Sequence, residues 1–314
     1  IESVSVLKDA ASASIYGARA SFGVILVTTK SGKSGKTNVN YSGNVRFNDA
    51  IGIPELMDSY TFAQYFNRAS SNRGGGDIFS PAVMERIKAY QEGTLTATTV
   101  DNGSGIWQKW ANANGNTDWF GEFYDNWVPS QEHNLSISGG TEKLQYVLSG
   151  SFLDQKGLLR HGTDKFQRYT LNSKITANIT DWLKVTLNSK WTREDFQRPT
   201  YLTSSFFHNL ARKWPVHPAY DPNGFPMDEG EIEQMENGGE QNSQKDYYTN
   251  QLHVVIEPIK NWRINLEGSV RTTTQYQHWE VLPVHAYDVN GDPYYTVWDM
   301  GCLLYTSPSP RDTR

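Results

Sequence analysis

From residue 36 onward the apolar positions recur every second residue. Val39, Tyr41, Gly43, Val45 and Phe47 fall on one side of an extended segment, with Asn40, Ser42, Asn44 and Arg46 on the other. The same division recurs at 134–138 (Leu135, Ile137), 144–153 (Leu144, Tyr146, Leu148, Gly150, Phe152), 169–179 (Tyr169, Leu171, Ile175, Ala177, Ile179) and 183–191 (Leu183, Val185, Leu187, Trp191), and again at 252–256 and 262–270. Period-two alternation over about nine to twelve residues predicts seven antiparallel strands.

The connections carry a second pattern. Those at 139–143, 180–182 and 257–261 are short, whereas 154–165, 194–246 and 48–132 are long, and the two kinds alternate. A meander of that kind gathers its tight turns at one end and its long loops at the other, as in an outer-membrane barrel. A soluble sandwich could also alternate, but connections beyond about 15 residues are uncommon in compact domains. The reading is therefore mostly β: a partial transmembrane antiparallel β-barrel over 36–300, with long extracellular loops at 49–131 and 196–247. Seven strands leave edges, so further strands are expected beyond residue 300.

Residues 1–35 have a different rhythm. Two apolar runs flank a small-residue segment; Asp9 suits the N-cap of a helix over 10–16, and Gly17 suits its end. The run 24–27, Val-Ile-Leu-Val, is continuously apolar and is expected to be covered on both faces. This is a small strand-helix-strand piece that begins in mid-pattern at Ile1, and the chain reads as a fragment. The tail 301–314 breaks every preceding pattern and resembles translated adaptor sequence, so it is set aside as non-native.

Composition narrows the picture further. Net charge is -5 and no basic cluster is interleaved with aromatics, which argues against nucleic acid. Aromatics reach 13%, with ten Trp and seventeen Tyr, and suit interface belts as well as cores. No apolar run approaches the roughly 18 residues of a membrane helix. The single Cys302 excludes a disulfide scaffold.

Catalytic and metal signals are weak. Gly35-Lys36-Thr37 ends like a phosphate loop, but Lys30 stands where the first glycine belongs. Asp221, Asn223, Asp228 and Glu229 loosely resemble a calcium loop spoiled by Phe225 and Pro226; a solvated acidic loop is expected, with loose calcium binding as the alternative. The seven histidines lack metal spacing and no nucleophile motif occurs, so no enzyme and no cofactor is expected.

Physical roles follow from position. Asn40, Asn44, Asn172, Lys174, Asn188 and Lys190 are expected to line a wet lumen. Trp182, Trp191, Trp262 and Tyr169 suit interface girdles. The loop aromatics Trp107, Trp110, Trp119, Trp127, Trp214 and Tyr220 are read as substrate contacts, partner contacts or loop packing. Tyr-Asp-x-Asn-Gly-x-Pro occurs twice, at 220–226 and 287–293, and predicts two tight hairpins.

The segment IESVSVLKDAASASIYGARASFGVILVTTKSGKSGK resembles the end of the plug domain in SusC/RagA-like TonB-dependent transporters. TDWFGEFYDNWVPSQEHNLSISGGTEKLQYVLSGSFLDQKGLL, RYTLNSKITANITDWLKV and YYTNQLHVVIEPIKNWRINLEGSV resemble the early barrel of the same family. Ala20 and Phe22 stand where that family usually has Gly and Asn, which should change local plug packing. The resemblance implies a plug inside a large barrel in the outer membrane of a Gram-negative bacterium of the Bacteroidetes kind. It implies contact with outer-membrane lipid, a SusD-like surface lipoprotein, and energy from a TonB complex reached through a segment preceding Ile1. It implies uptake of a bulky nutrient, with oligosaccharide leading and peptide as the family's other cargo. Asp9, Tyr16 and Arg19 are then candidates for plug-barrel contact. A surface adhesin or structural barrel that transports nothing is the reading from another class.

Overall fold

The computed structural model describes residues 2–9, 11, 17, 20 and 22–295. The expected helix 10–16, Tyr16, Arg19 and the tail 301–314 lie wholly or mostly outside them.

Strands β1 (Ser3–Leu7) and β2 (Val24–Thr28) pair antiparallel as a two-stranded ribbon. Ile25 and Val27 are 68% and 51% exposed, which corrects the expectation of a strand covered on both faces. Among the described residues, β1 supplies a partner edge to edge and no further layer packs on the ribbon's faces.

The main sheet contains β3 (Gly35–Asn48), β4 (Val128–Gly140), β5 (Leu144–Lys156), β6 (Lys165–Thr180), β7 (Leu183–Pro199), β8 (Glu240–Ile259) and β9 (Trp262–Trp279), paired antiparallel in chain order. Each predicted strand is present, but the strands run to 13–20 residues instead of nine to twelve. The added lengths are mostly polar, as in 192–199, 240–247 and 272–279, with Phe196, Tyr276 and Trp279 among them. Backbone pairing continues past the apolar belt because ladder hydrogen bonds do not require apolar side chains. The long loops shrink accordingly to 49–127 and 200–239.

The apolar residues of the alternation point away from the sheet and stay uncovered. Val39, Tyr41, Val45, Phe47, Leu135, Leu148, Leu171, Leu187, Leu252 and Val270 are all exposed, and no second sheet packs on them among the described residues. This is the arrangement of a wall facing lipid and not of a sandwich core.

Register fixes the tilt of that wall. Val39, Ile137, Leu148, Ser173, Ser189, Asn250 and Val270 form one row across the seven strands. Val39 is the lowest outward apolar residue of β3, while on β9 the outward apolar stretch reaches down to Ile264, six residues below Val270. Over six pairings the belt slips by about one residue per strand; with ~3.3 Å per residue and ~4.8 Å between strands the tilt is about 35°. On β7 the belt runs from Leu183 to Trp191, about 27 Å along the strand and about 22 Å along the membrane normal, close to the ~25 Å apolar band of such barrels.

Aromatic residues bound the belt. Trp182 and Trp262 sit at the tight turns, whereas Tyr169 and Trp191, expected at strand ends, lie inside the longer strands where the belt stops. Immediately above, Arg193 donates through Nε and an Nη to both Asp246 carboxylate oxygens at 2.9 Å, and the Trp191 indole donates to Asp246 at 3.0 Å. A charge at the rim is thereby fully partnered.

The loops at the opposite end from the tight turns are folded. Loop 49–127 carries α1 (Ser59–Asn72), α2 (Pro81–Gln91) and α3 (Trp119–Phe123); loop 200–239 carries α4 (Ser204–Leu210) and α5 (Ile232–Asn237). Asp58 caps α1 by accepting from the Thr61 N–H at 2.9 Å, and Ser80 caps α2, with Pro81 opening the helix. One core gathers Ala63, Phe79, Val83, Ile87 and Val216; the other joins Trp119, Phe123, Phe206, Leu210, Ile232 and Met235.

Both Tyr-Asp-x-Asn-Gly-x-Pro copies form the expected hairpins, one closed by the bridge Tyr220 to Pro226 and the other pairing β10 (His285–Tyr287) with β11 (Pro293–Tyr295). Each Asp accepts from the N–H groups two and four residues on, and Asp101 does the same from Gly103 and Gly105. The three turns dock on one another: Phe225 stacks on Tyr287 at 4.2 Å, the Val289 N–H donates to the Gly105 carbonyl at 3.0 Å, and Asn223 Nδ2 donates to the Val289 carbonyl at 3.1 Å.

Candidate functional site

Because side chains alternate, an apolar outward face leaves the other face polar. The inward rows include Ser149, Asn172, Lys190, Thr249 and Arg271 side by side, and Lys174, Asn188, Gln251 and Ser269 next to them. The segment 29–36 joining β2 to β3 crosses this face and encloses a cavity of about 1280 Å³. Its lining includes Asn40, Asn172, Lys174, Asn188 and Lys190, five of the six residues expected in the lumen. Asn44 shares the inward parity but pairs higher up, opposite Glu132.

Two contacts pin the crossing segment. Lys174 Nζ donates to Ser31 Oγ at 2.8 Å. Gly32 lies so close to the wall that a Cβ there would sit 2.5 Å from the Tyr146 nitrogen and 2.7 Å from its oxygen, so only glycine fits. Asp9 is exposed beyond the end of β1, and Tyr16 and Arg19 lie outside the described residues.

A second cavity, about 750 Å³, lies in the loop layer between Trp110, Tyr201, Asn209, Arg212, Glu231 and the 281–284 stretch. Its floor is a charge network, buried at Lys213 and Glu231 and half-buried at Lys109 and Glu229. Lys109 Nζ donates to Asp228 at 2.6 Å and to Glu229 at 2.8 Å, and the Trp110 indole donates to Glu229 at 2.6 Å. Lys213 Nζ donates to the Glu229 carbonyl at 2.6 Å and lies 3.4 Å from Glu231, which also accepts from Asn209 and Tyr201. Burial alone would lower the Lys109 pKa, but the two carboxylates outweigh it and raise it. Burial lowers that of Lys213 despite Glu231. It also pushes the Tyr201 hydroxyl up to about 12, with Glu231 adding to the effect.

Trp110, Glu229 and Glu231 all have left-handed backbones, with φ of 52°, 59° and 69°. Such conformations cost about 1–3 kcal/mol each and persist where the surroundings over-determine them. Here the ion pairs and hydrogen bonds to Lys109 and Lys213 surround all three. No sequence signal marks Glu229 or Glu231 for this conformation.

The expected loop aromatics separate by burial. Trp119 is fully buried and donates its indole N–H to the Trp214 carbonyl at 3.0 Å, and Trp214 packs beside the first loop core, so these two hold the loop together. Tyr220 packs on the second core and donates to Glu122 at 3.1 Å. Trp107 is half-buried in the first Asx turn. Trp110 lines the loop cavity, stacked 4.6 Å from His217, and Trp127 projects into solvent. Of the loose calcium motif, Asp221 accepts from its own turn, while Asp228 and Glu229 accept from Lys109. Among the described residues no three acidic, His or Cys side chains converge as a metal site.

No family model matches the chain. It is 30% identical over 193 residues to TonB-dependent receptor SusC of Bacteroides thetaiotaomicron, a match covering 61% of this chain and 16% of SusC. TonB-dependent receptor P3 of Formosa agariphila is 29% identical over 188 residues, covering 60% of this chain and 15% of the receptor. The chain thus spans about one-sixth of the length of these relatives, both named as receptors and neither as an enzyme. In fold it is similar to the solved RagAB peptide importer, with TM-scores of 0.67 in the closed-closed state and 0.68 in the open-open state, identities of 20% and 21%, 89% of this chain covered in both, and 33% and 32% of those chains. The resemblance to SusC/RagA-like receptors therefore holds in sequence over about three-fifths of the chain and in fold over most of it.

Proposed function

We propose that this polypeptide forms part of the wall of a TonB-dependent transporter that brings a bulky nutrient, foremost an oligosaccharide, across the bacterial outer membrane. The observation that carries the reading is the two-faced sheet: an apolar belt bounded by aromatics outside, and inside a polar face with the segment 29–36 lodged against it. A wall of this kind separates lipid from a wet passage, and a segment that fills the passage must shift before large cargo moves. Relatives named as TonB-dependent receptors support an energy input through a TonB complex. The folded loop layer, with its cavity and exposed Trp127, offers a surface to a SusD-like lipoprotein and to cargo.

The test is inactivation of the encoding gene in its own host. Growth on one class of oligosaccharide should fail while growth on the constituent monosaccharide persists, and loss of TonB should give the same phenotype. Normal growth on every oligosaccharide and peptide tried, with loss of surface attachment instead, would replace transport with adhesion.

A further inference from the structure

The cavity beneath the 29–36 segment has an unusual charge. Lys30 and Lys33 line it from the segment, and Lys36, Lys174, Lys190 and Arg271 from the wall strands, against one carboxylate, Glu2. The whole chain carries -5, so this is a local reversal of sign. Two wall cations outside the cavity show what pairing looks like here: Arg46 meets Glu132 at 2.7 Å on the same inward face, and Arg193 meets Asp246 on the outer one. None of the six cavity cations is within ion-pair distance of a carboxylate among the described residues; Lys174 reaches only the Ser31 hydroxyl.

The arrangement is held in place. Gly32 and Ser31 fix the segment against the wall, so its lysines face those of the barrel. Lys190 and Arg271 share a register row with Thr249 between them, hence about 10 Å apart and within about one Debye length, where their fields add. Asn38, Asn40, Asn172 and Asn188 add amide donors to the same lining. Fixed like charges with neutral donors between them, in a polar recess, concentrate anions.

From this geometry we infer that the passage is an anion-selective one: the cargo carries carboxylate or sulfate groups, and the Lys174, Lys190 and Arg271 face receives them. This rests on the transport reading above and specifies the charge of what is transported.

The experiment uses the full-length transporter in cells and in purified form, with neutral gluco-oligosaccharides and with uronate- and sulfate-bearing oligosaccharides of matched length as probes. The expected result is at least tenfold preference for the anionic probes, falling as salt rises. Lys190→Glu with Arg271→Glu should abolish the preference, while Lys190→Gln with Arg271→Gln, which retains hydrogen bonding, should reduce it by a smaller factor. Equal handling of neutral and anionic probes by the wild type, independent of salt, would overturn the inference and leave TonB-dependent transport standing. Unchanged selectivity in the variants, together with faster proteolysis at Lys30 or Lys33, would overturn it too, assigning these cations to an acidic plug surface. Absence of any TonB-dependent uptake would overturn both readings.

Discussion

An arginine placed at Leu252 tests the sidedness of the wall directly. Leu252 is exposed on the outward face of β8, four residues from Ile256 at the lower limit of the belt and four from Tyr248 at the upper. At ~3.3 Å per residue and a tilt of about 35°, it lies about 11 Å from either boundary, near the midplane. Arginine on the lipid face at that depth costs about 2–4 kcal/mol, falling to about 0–1 at the interface. The adjacent Gln251 points inward, where water solvates a guanidinium. Leu252→Arg should therefore destabilise by about 2–4 kcal/mol, Tyr248→Arg by about 1 or less beyond the ring it removes, and Gln251→Arg by almost nothing. The measurement is the denaturant midpoint of the full transporter in lipid vesicles, followed by tryptophan fluorescence, with the heat-induced shift in gel mobility as a second readout. Equal penalties at 251 and 252 would refute the two-faced wall; a large penalty at 251 alone would mean that the faces are reversed.

Three further outcomes are expected. The His217 imidazole is fully buried, donates to the Asp228 carbonyl at 3.0 Å, and is held by burial, with help from Lys213, at a pKa of about 3. The unfolded ring protonates below about pH 6.5, so the loop layer should lose up to about 1.4 kcal/mol per pH unit between 6.5 and 3, and His217→Asn should flatten that profile in limited proteolysis. Trp119→Ala should cost the loop layer about 3–5 kcal/mol in thermal unfolding, while Trp127→Ala changes stability by about 0.5 kcal/mol or less. Gly32→Val, whose side chain has no room beside the Tyr146 backbone, should dislodge the 29–36 segment and speed trypsin cleavage at Lys30 and Lys33; Ser31→Ala, losing one hydrogen bond, should do so far less.

The strands, their faces and the alternation of tight and long connections were written in the sequence, because each depends only on neighbours along the chain: a period of two, a short polar turn, an Asn-Gly pair. Val39 through Phe47 needed no partner to declare which way they point. The continuation of β8 through the polar stretch 240–250 did not follow from that rule, since it is the backbone of β7 and β9 that holds it extended. Trp119 and Trp127 look alike in the chain, yet one is core and the other solvent-facing; only the packing of loop 49–127 on 200–239 separates them. The same holds for Glu229 and Glu231, strained against a lysine network drawn from both loops, and for six cations at separations of up to 241 residues that meet in one recess. Local pattern fixes which side of a strand is greasy; which distant charges share a cavity depends on register and tilt, and those exist only once the wall is assembled.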